Sequence, residues 1–84
     1  MQILLKLYAS LGDHLPADRR RGNELPLELP AGTTIIDAIA PFALPPKLVH
    51  LVLINGVFIP PEQRATRALV DGDVLAIWPP IAGG

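Results

Sequence analysis

The chain has 84 residues, of which 50% are hydrophobic, seven are basic, eight are acidic and none is cysteine, so its formal net charge is −1. This length allows one domain with a single core, and the lack of cysteine excludes disulfides, thiolate metal sites and cysteine nucleophiles. The near-neutral charge, with no basic run longer than Arg19–Arg21, excludes the electrostatic footprint of a nucleic-acid-binding protein.

The first third of the chain predicts two strands separated by a loop. Apolar and polar side chains alternate along residues 2–8, which predicts a half-buried strand. Residues 12–24 are polar and punctuated by glycine and proline, and we expect a long surface loop there, with the three arginines in solvent. Leucines alternate with prolines and a glutamate over residues 25–29, which predicts a second strand that the prolines confine to a sheet edge.

A short helix is predicted next. Thr33 or Thr34 can cap its N-terminus, and Asp37 places a carboxylate near the positive end of the helix dipole. Pro41 should end the helix, because proline lacks the backbone N–H and disfavours helical geometry in the residue before it. The predicted apolar stripe consists of Ile35, Ile36 and Ile39.

Three further strands complete the prediction. Residues 48–54 are apolar at nearly every position, so we expect a central strand buried on both faces. Asn55–Gly56 is a strong hairpin signal that leads into a strand at residues 57–59, and Asp71–Asp73 makes a second tight turn before the last strand, residues 74–78. This order predicts an α+β roll with the helix on one face of the sheet.

The sequence closes with an uncharged tail, residues 79–84, that follows a predicted domain of residues 1–78. Prolines 79 and 80 favour a stiff, extended exit from the last strand. Gly83 and Gly84 have no Cβ, so their end of the chain can enter a narrow channel in a partner. We interpret the Gly84 carboxylate as the functional group; the alternative is a frayed terminus without a role.

Residues 53–84, LINGVFIPPEQRATRALVDGDVLAIWPPIAGG, resemble the second half of the MoaD/ThiS sulfur carriers, which are small proteins related to ubiquitin. The most specific parts are Asn55–Gly56, Asp71–Asp73 and the closing aromatic-Pro-Pro-x-x-Gly-Gly, and Tyr8–Leu11 also looks like the MoaD branch. The resemblance implies a ubiquitin-like β-grasp roll, with a mixed sheet of four to five strands and a short helix on one face.

The resemblance also implies a chemistry. In that family an E1-like enzyme, similar to MoeB or ThiF, adenylates the terminal glycine with ATP, and sulfur then replaces AMP to leave a thiocarboxylate. Gly84 would be that glycine here, and the chain would be a carrier with no enzyme activity, no bound cofactor and no metal. A cysteine desulfurase or rhodanese would supply the sulfur.

The branch favoured by the resemblance is MoaD. The double proline and the loop of residues 12–24 look like this branch, in which the chain is the small subunit of molybdopterin synthase and works with a MoaE-like catalytic subunit. The Ile-Ala-Gly-Gly ending is also common in the thiamine branch. Two other functions stay open: a ubiquitin-like modifier joined to lysine amines, and an interaction module whose tail is inert.

Partner contacts in this family use an apolar sheet surface together with the inserted tail. The tail positions carried over are Pro80, Ile81, Ala82 and Gly83, in addition to Gly84. The candidate interface residues are Phe58, Ile59 and Trp78, for which core packing is the alternative role. With no signal-length or membrane-length apolar run, we expect a cytoplasmic protein that contacts no membrane.

Overall fold

Five strands and one short α-helix follow one another in the order that the sequence predicts. The computed structural model describes residues 1–80. The strands are β1 (Gln2–Leu7), β2 (Glu24–Glu28), β3 (Leu51–Ile54), β4 (Val57–Phe58) and β5 (Val74–Trp78), and the helix is α1 (Ile35–Ile39). Short 3₁₀ turns lie at Ala9–His14, Ala17–Arg19, Ala40–Phe42, Pro46–Leu48 and Pro61–Gln63.

The strands form one mixed sheet in the order β2-β1-β5-β3-β4. The first and last strands, β1 and β5, lie side by side and parallel, while β2, β3 and β4 pair antiparallel with their neighbours. The strand that carries proline, β2, is at an edge, as predicted, because Pro26 cannot donate to a second neighbour. The predicted α+β class, with a helix between two hairpin-like halves of a sheet, is confirmed.

The core lies between α1 and one face of the sheet. The alternating side chains of β1 supply Ile3, Leu5 and Leu7, and β5 supplies Leu75 and Ile77. Two further core residues, Leu11 and Leu15, follow β1, and Leu15 belongs to the segment that we predicted to be a polar surface loop. That prediction was wrong for Leu15, because the 3₁₀ turn at Ala9–His14 directs both leucines inward while the polar residues around them stay in solvent.

The helix is as short as Pro41 predicts, with only five residues. Thr34 is its N-cap, and its hydroxyl oxygen accepts a hydrogen bond from the Asp37 backbone N–H at 3.3 Å. The predicted apolar stripe is only partly right, because Ile36 is 42% exposed and Ala38 is buried in its place. Successive residues of a helix differ in direction by about 100°, so Ile36 lies to the side of the face that Ile35 and Ile39 turn to the sheet.

The third strand is shorter and less buried than predicted. Pro45 and Pro46 direct the chain into the 3₁₀ turn Pro46–Leu48, so β3 begins only at Leu51. Leu51 and Leu53 are half-buried, which contradicts burial on both faces. The reason is that α1 covers one face of the sheet, and no other helix of the described residues covers the opposite face.

A cluster of hydrogen bonds joins the two tight turns at one end of the sheet. Asn55 and Gly56 have φ values of 52° and 83°, as a two-residue hairpin turn requires. The Asp73 carboxylate accepts from the Asn55 side-chain amide at 3.0 Å and from the Val70 N–H at 2.9 Å. The Asn55 amide oxygen in turn accepts from the Val74 N–H at 2.8 Å. Asp73 is therefore a structural residue, as its position in a turn predicts.

Replacing Asp73 with alanine is expected to destabilise the fold by about 1–3 kcal/mol, because the Asn55 amide and the Val70 N–H, which donate to this buried carboxylate, would lose their acceptor. Urea unfolding followed by circular dichroism measures this change. Asp18→Ala, at an exposed position, is the matched control and should change stability by less than about 0.5 kcal/mol. Equal stability of the two variants would contradict the role given to Asp73.

None of the helices in residues 1–80 is long and apolar enough to cross a membrane.

Candidate functional site

The tail leaves the sheet from a strand that is held on both sides. Trp78 ends β5 and lies opposite Leu51 of β3. Its carbonyl oxygen accepts from the His50 N–H at 3.2 Å, and the carbonyl of Ile77 accepts from the Tyr8 N–H at 3.1 Å. Because β5 is central in the sheet, the point from which the tail starts is fixed by neighbours on each side.

Most of the predicted tail residues lie outside the part of the chain that the structure describes. Pro79 is half-buried and Pro80 is exposed at the end of the described chain. The positions Ile81, Ala82, Gly83 and Gly84 lie outside the described residues, so their predicted role stays a prediction.

Trp78 has a stacking partner that the sequence did not single out. The rings of Tyr8 and Trp78 are parallel within 2°, with their centroids 4.0 Å apart. Both side chains are half-buried on the face of the sheet that lies opposite α1. The alternation along β1 predicts that Tyr8 lies on the face opposite the core residues. Its contact with Trp78 requires the pairing of β1 with β5, and no local sequence pattern predicts that pairing.

The face of the sheet opposite α1 is largely apolar. We define the open sheet face as the apolar side chains Leu4, Leu51, Leu53, Phe58, Val74 and Trp78 on this side. The strand registers also place Lys6 and Glu24 there, and these two form an ion pair at 3.9 Å. Phe58, in the edge strand β4, is 49% exposed, and the leucines, Val74 and Trp78 are half-buried. A largely apolar surface that includes two aromatic residues is typical of a protein contact site.

Ile59, the third residue predicted for the interface, lies in the core. Only 1% of it is exposed, and it belongs to the same cluster as Leu5 and Ile77. Its backbone N–H pairs with the Val52 carbonyl, so the chain continues the pairing of β4 and the side chain after Phe58 points to the helix side. We therefore keep Phe58 and Trp78 as surface candidates and assign Ile59 to packing.

Behind β4 lies a buried arginine, Arg64, whose burial the sequence did not predict. Arg64 is only 6% exposed, and its guanidinium donates to the carbonyls of Ile59, Val49 and His50 at 3.1, 3.2 and 3.0 Å. Its Cζ lies 6.0 Å from the centroid of the Phe58 ring. Burial lowers the pKa of Arg64, and the charge of Glu62 opposes part of that shift.

The described part of the chain offers surfaces for binding and little acid–base chemistry. Asp71 accepts from the Gln2 backbone N–H at 2.7 Å, and Asp73 is committed to the turn, so the two carboxylates act as turn residues. Within residues 1–80, no three His, Asp or Glu side chains lie close enough together to hold a metal ion.

Comparison with known proteins identifies related families and folds. The model of the ThiS family matches residues 14–84, most of the chain. No curated protein matches it. The crystal structure of the small archaeal modifier protein SAMP1 from Haloferax volcanii is similar over 100% of both chains, with a TM-score of 0.69 and 23% identity.

A second similar structure is a complex of subunits 1 and 2 of molybdopterin-converting factor from Helicobacter pylori. The match covers 100% of both chains, with a TM-score of 0.61 and 17% identity. At these identities the likeness concerns the fold, and it confirms the predicted ubiquitin-like β-grasp roll.

Proposed function

The chain belongs to the ThiS family, and we propose that it is a sulfur carrier whose Gly84 carboxylate is activated and converted to a thiocarboxylate. The observation that carries this proposal is the family match itself, because it extends through the Gly-Gly end to Gly84. The described residues support it with a firmly held strand, β5, that delivers the tail next to an apolar surface.

The chemistry needs a partner at each step. A carboxylate is a poor acyl donor, so an oxygen of Gly84 first attacks the α-phosphorus of ATP on an E1-like enzyme, and pyrophosphate leaves. The product is a mixed anhydride with AMP. The terminal sulfur of a persulfide on a donor such as a cysteine desulfurase or rhodanese then attacks the carbonyl carbon, the bond to the AMP oxygen breaks, and AMP leaves. A thiol reductant cleaves the resulting acyl disulfide, which leaves the thiocarboxylate on Gly84 and a free thiol on the donor. The chain acts as co-substrate, with ATP bound by the activating enzyme.

For the acceptor we propose the molybdopterin pathway. In that role the chain would be the small subunit of molybdopterin synthase, and a MoaE-like catalytic subunit would receive its tail. The double proline before the tail and the Tyr8–Leu11 segment favour this branch over the thiamine branch. The similar Helicobacter pylori structure is a complex of subunits 1 and 2 of molybdopterin-converting factor, which is consistent with this choice.

A protein modifier is the second candidate. The same activated Gly84 could acylate a lysine amine, and the similar Haloferax volcanii protein is named a modifier. Denaturing gels of cell extract separate the two functions, because a modifier gives Gly84-dependent adducts of high mass and a pure carrier gives none.

Activation itself is tested by pyrophosphate release. We expect the purified chain, its E1-like enzyme and ATP to release pyrophosphate, and we expect no release above background after deletion of Gly84. An E1-like enzyme that is active on another carrier but releases no pyrophosphate with this chain would contradict the proposal.

Phe58 should contribute strongly to binding of the activating enzyme, since exposed aromatic residues on an apolar surface are typical hot spots. We expect Phe58→Asp to weaken binding by about tenfold or more, measured by isothermal titration calorimetry. Val57→Asp is the matched control, because Val57 is the neighbouring exposed residue of β4 but does not belong to the open sheet face. Equal loss in both variants would show that the contact does not depend on this face.

A further inference from the structure

A groove lies on the helix side of the sheet, and its residue Arg64 also lies 6.0 Å from the ring of Phe58 in the open sheet face. Its cavity of about 350 Å³ is bounded by α1, by the two 3₁₀ turns that follow the helix, and by Pro61. Its walls are apolar side chains such as Ile36, Ile39, Leu44 and Val49. Arg64 is the one charged residue among the described residues that line it, and we call this site the Arg64 groove.

The guanidinium of Arg64 makes no direct ion pair in the described part of the chain, and the charge of Glu62 acts on it only from beyond ion-pair distance. The ion pairs within residues 1–80 join the N-terminus to Glu28 and Lys6 to Glu24. The polar partners of Arg64 are three neutral carbonyl oxygens. A buried cation usually has an anionic partner, so this groove carries a positive charge that a ligand can neutralise.

The hydrogen-bonding capacity of Arg64 is also incompletely used. A guanidinium has five N–H groups, and one each on Nε, Nη1 and Nη2 donates to the Ile59, Val49 and His50 carbonyls. Two N–H groups have no acceptor among residues 1–80. Because these three carbonyls hold the guanidinium in place, a carboxylate would meet a donor pair that is already oriented.

The groove is open to solvent along its rim. Ile36, Ala40, Pro46 and Pro61 are exposed lining residues, and Ile36 is a large apolar side chain that the core does not use. Sites for small molecules usually bury about 70–90% of their ligand, which an open groove does not do. An extended segment of another protein can instead pass across the rim and place one apolar side chain inside.

We propose that the Arg64 groove is a docking site for a segment of a partner protein that presents an apolar side chain next to a carboxylate. The apolar side chain packs against Ile36, Ile39 and Val49, and the carboxylate accepts hydrogen bonds from Arg64. The site is distinct from the open sheet face. The two are connected through His50, whose carbonyl binds Arg64 and whose N–H binds the Trp78 carbonyl, so one partner can hold both sides of the chain near the start of the tail.

The test uses a blocked Glu-Leu-Leu-Glu tetrapeptide as the probe and NMR shifts of the labelled full chain as the measurement. We expect shifts at the Ile36, Ile39 and Val49 amides and at the Arg64 Nε–H, with a dissociation constant of about 1 mM. The matched Gln-Leu-Leu-Gln peptide should bind about tenfold more weakly, because a hydrogen bond to a charged acceptor is stronger than one to a neutral acceptor.

Two variants test the site itself. Arg64→Gln should reduce binding by about tenfold and remove the difference between the two peptides. Because Arg64 also holds three backbone carbonyls, this variant can lose stability, so Ala40→Glu serves as a second variant that places a competing carboxylate on the exposed rim and should weaken binding similarly. Asp37→Ala, on α1 but outside the groove lining, is the control and should bind as the parent chain does.

Shifts confined to the open sheet face, equal affinity for the two peptides, or no shift at several millimolar probe would overturn the proposal. The outcome is independent of sulfur transfer, because a chain without Gly83 and Gly84 should still bind the acidic peptide. That truncated chain therefore separates a failure of the groove from a failure of the carrier function.

Discussion

Extending the chain by one alanine after Gly84 is expected to lower the rate of ATP-dependent activation by about a hundredfold or more. The extra residue moves the carboxylate by about 3.5 Å along the tail and adds a Cβ where glycine has none. Displacement of a reacting group by only about 1 Å can cost about a hundredfold in rate. Pyrophosphate release with the cognate E1-like enzyme is the measurement.

Two control measurements on the extended chain are its thermal stability and its binding to the activating enzyme. The extended chain should keep the thermal stability of the parent chain and should still bind the activating enzyme through the open sheet face, since neither depends on the terminal carboxylate. Activation at the parental rate would mean that the terminal carboxylate is not the group that reacts.

The second large effect concerns the strand from which the tail leaves. Replacing Ile77 with alanine is expected to destabilise the fold by about 2–5 kcal/mol, because the change leaves a cavity in a packed core. Ile77 is 0% exposed and lies in β5, between β1 and β3. A domain of 84 residues has a total stability of roughly 4–13 kcal/mol at typical values per residue, so this one substitution can remove a large share of it.

Urea unfolding of Ile77→Ala measures the change in free energy directly. Val70→Ala is the matched control, because Val70 is a β-branched residue that is exposed, and it should change stability by less than about 0.5 kcal/mol. A loss below about 1 kcal/mol for Ile77→Ala would show that β5 is not the centre of the core that the structure describes.

Local signals predicted much of this fold. The alternation in β1, the proline-bearing edge strand β2, the short capped helix and the turn at Asn55–Gly56 each depend on neighbouring residues alone, and each is present in the structure. A hairpin turn that needs two residues at positive φ strongly favours Asn-Gly, Asp-Gly or Gly-Gly. Such features can be predicted from sequence because the physical constraint and the residues that meet it are adjacent.

The errors concern features that depend on distant parts of the chain. The apolar stretch of β3 suggested burial on both faces, but only one face of the sheet is covered by α1. Ile36 was expected in the core and is exposed, whereas Ile59 was expected at the interface and is buried. The helix has one turn and β4 has two residues, so tertiary contacts decide which way the nearby side chains point. Hydrophobicity alone does not decide which apolar residue remains at the surface.

The candidate site was predictable to a similar degree. The aromatic end of β5 and the exposed Phe58 follow from the sequence and from the family resemblance. The Tyr8 stack on Trp78 and the buried Arg64 do not. The stack needs the parallel pairing of the two terminal strands, and Arg64 needs three backbone carbonyls from two segments, residues 49–50 and residue 59. An arginine in a polar connection has no local signal that distinguishes a buried position from an exposed one.

The intact mass of the chain tests the central claim most directly. After incubation with ATP, the cognate E1-like enzyme and a sulfur donor, we expect the mass to rise by about 16 Da as sulfur replaces one oxygen, and we expect no gain in a chain that lacks Gly84. An unchanged mass, with an activating enzyme and donor that load another carrier in the same mixture, would contradict the assignment of this chain as a sulfur carrier.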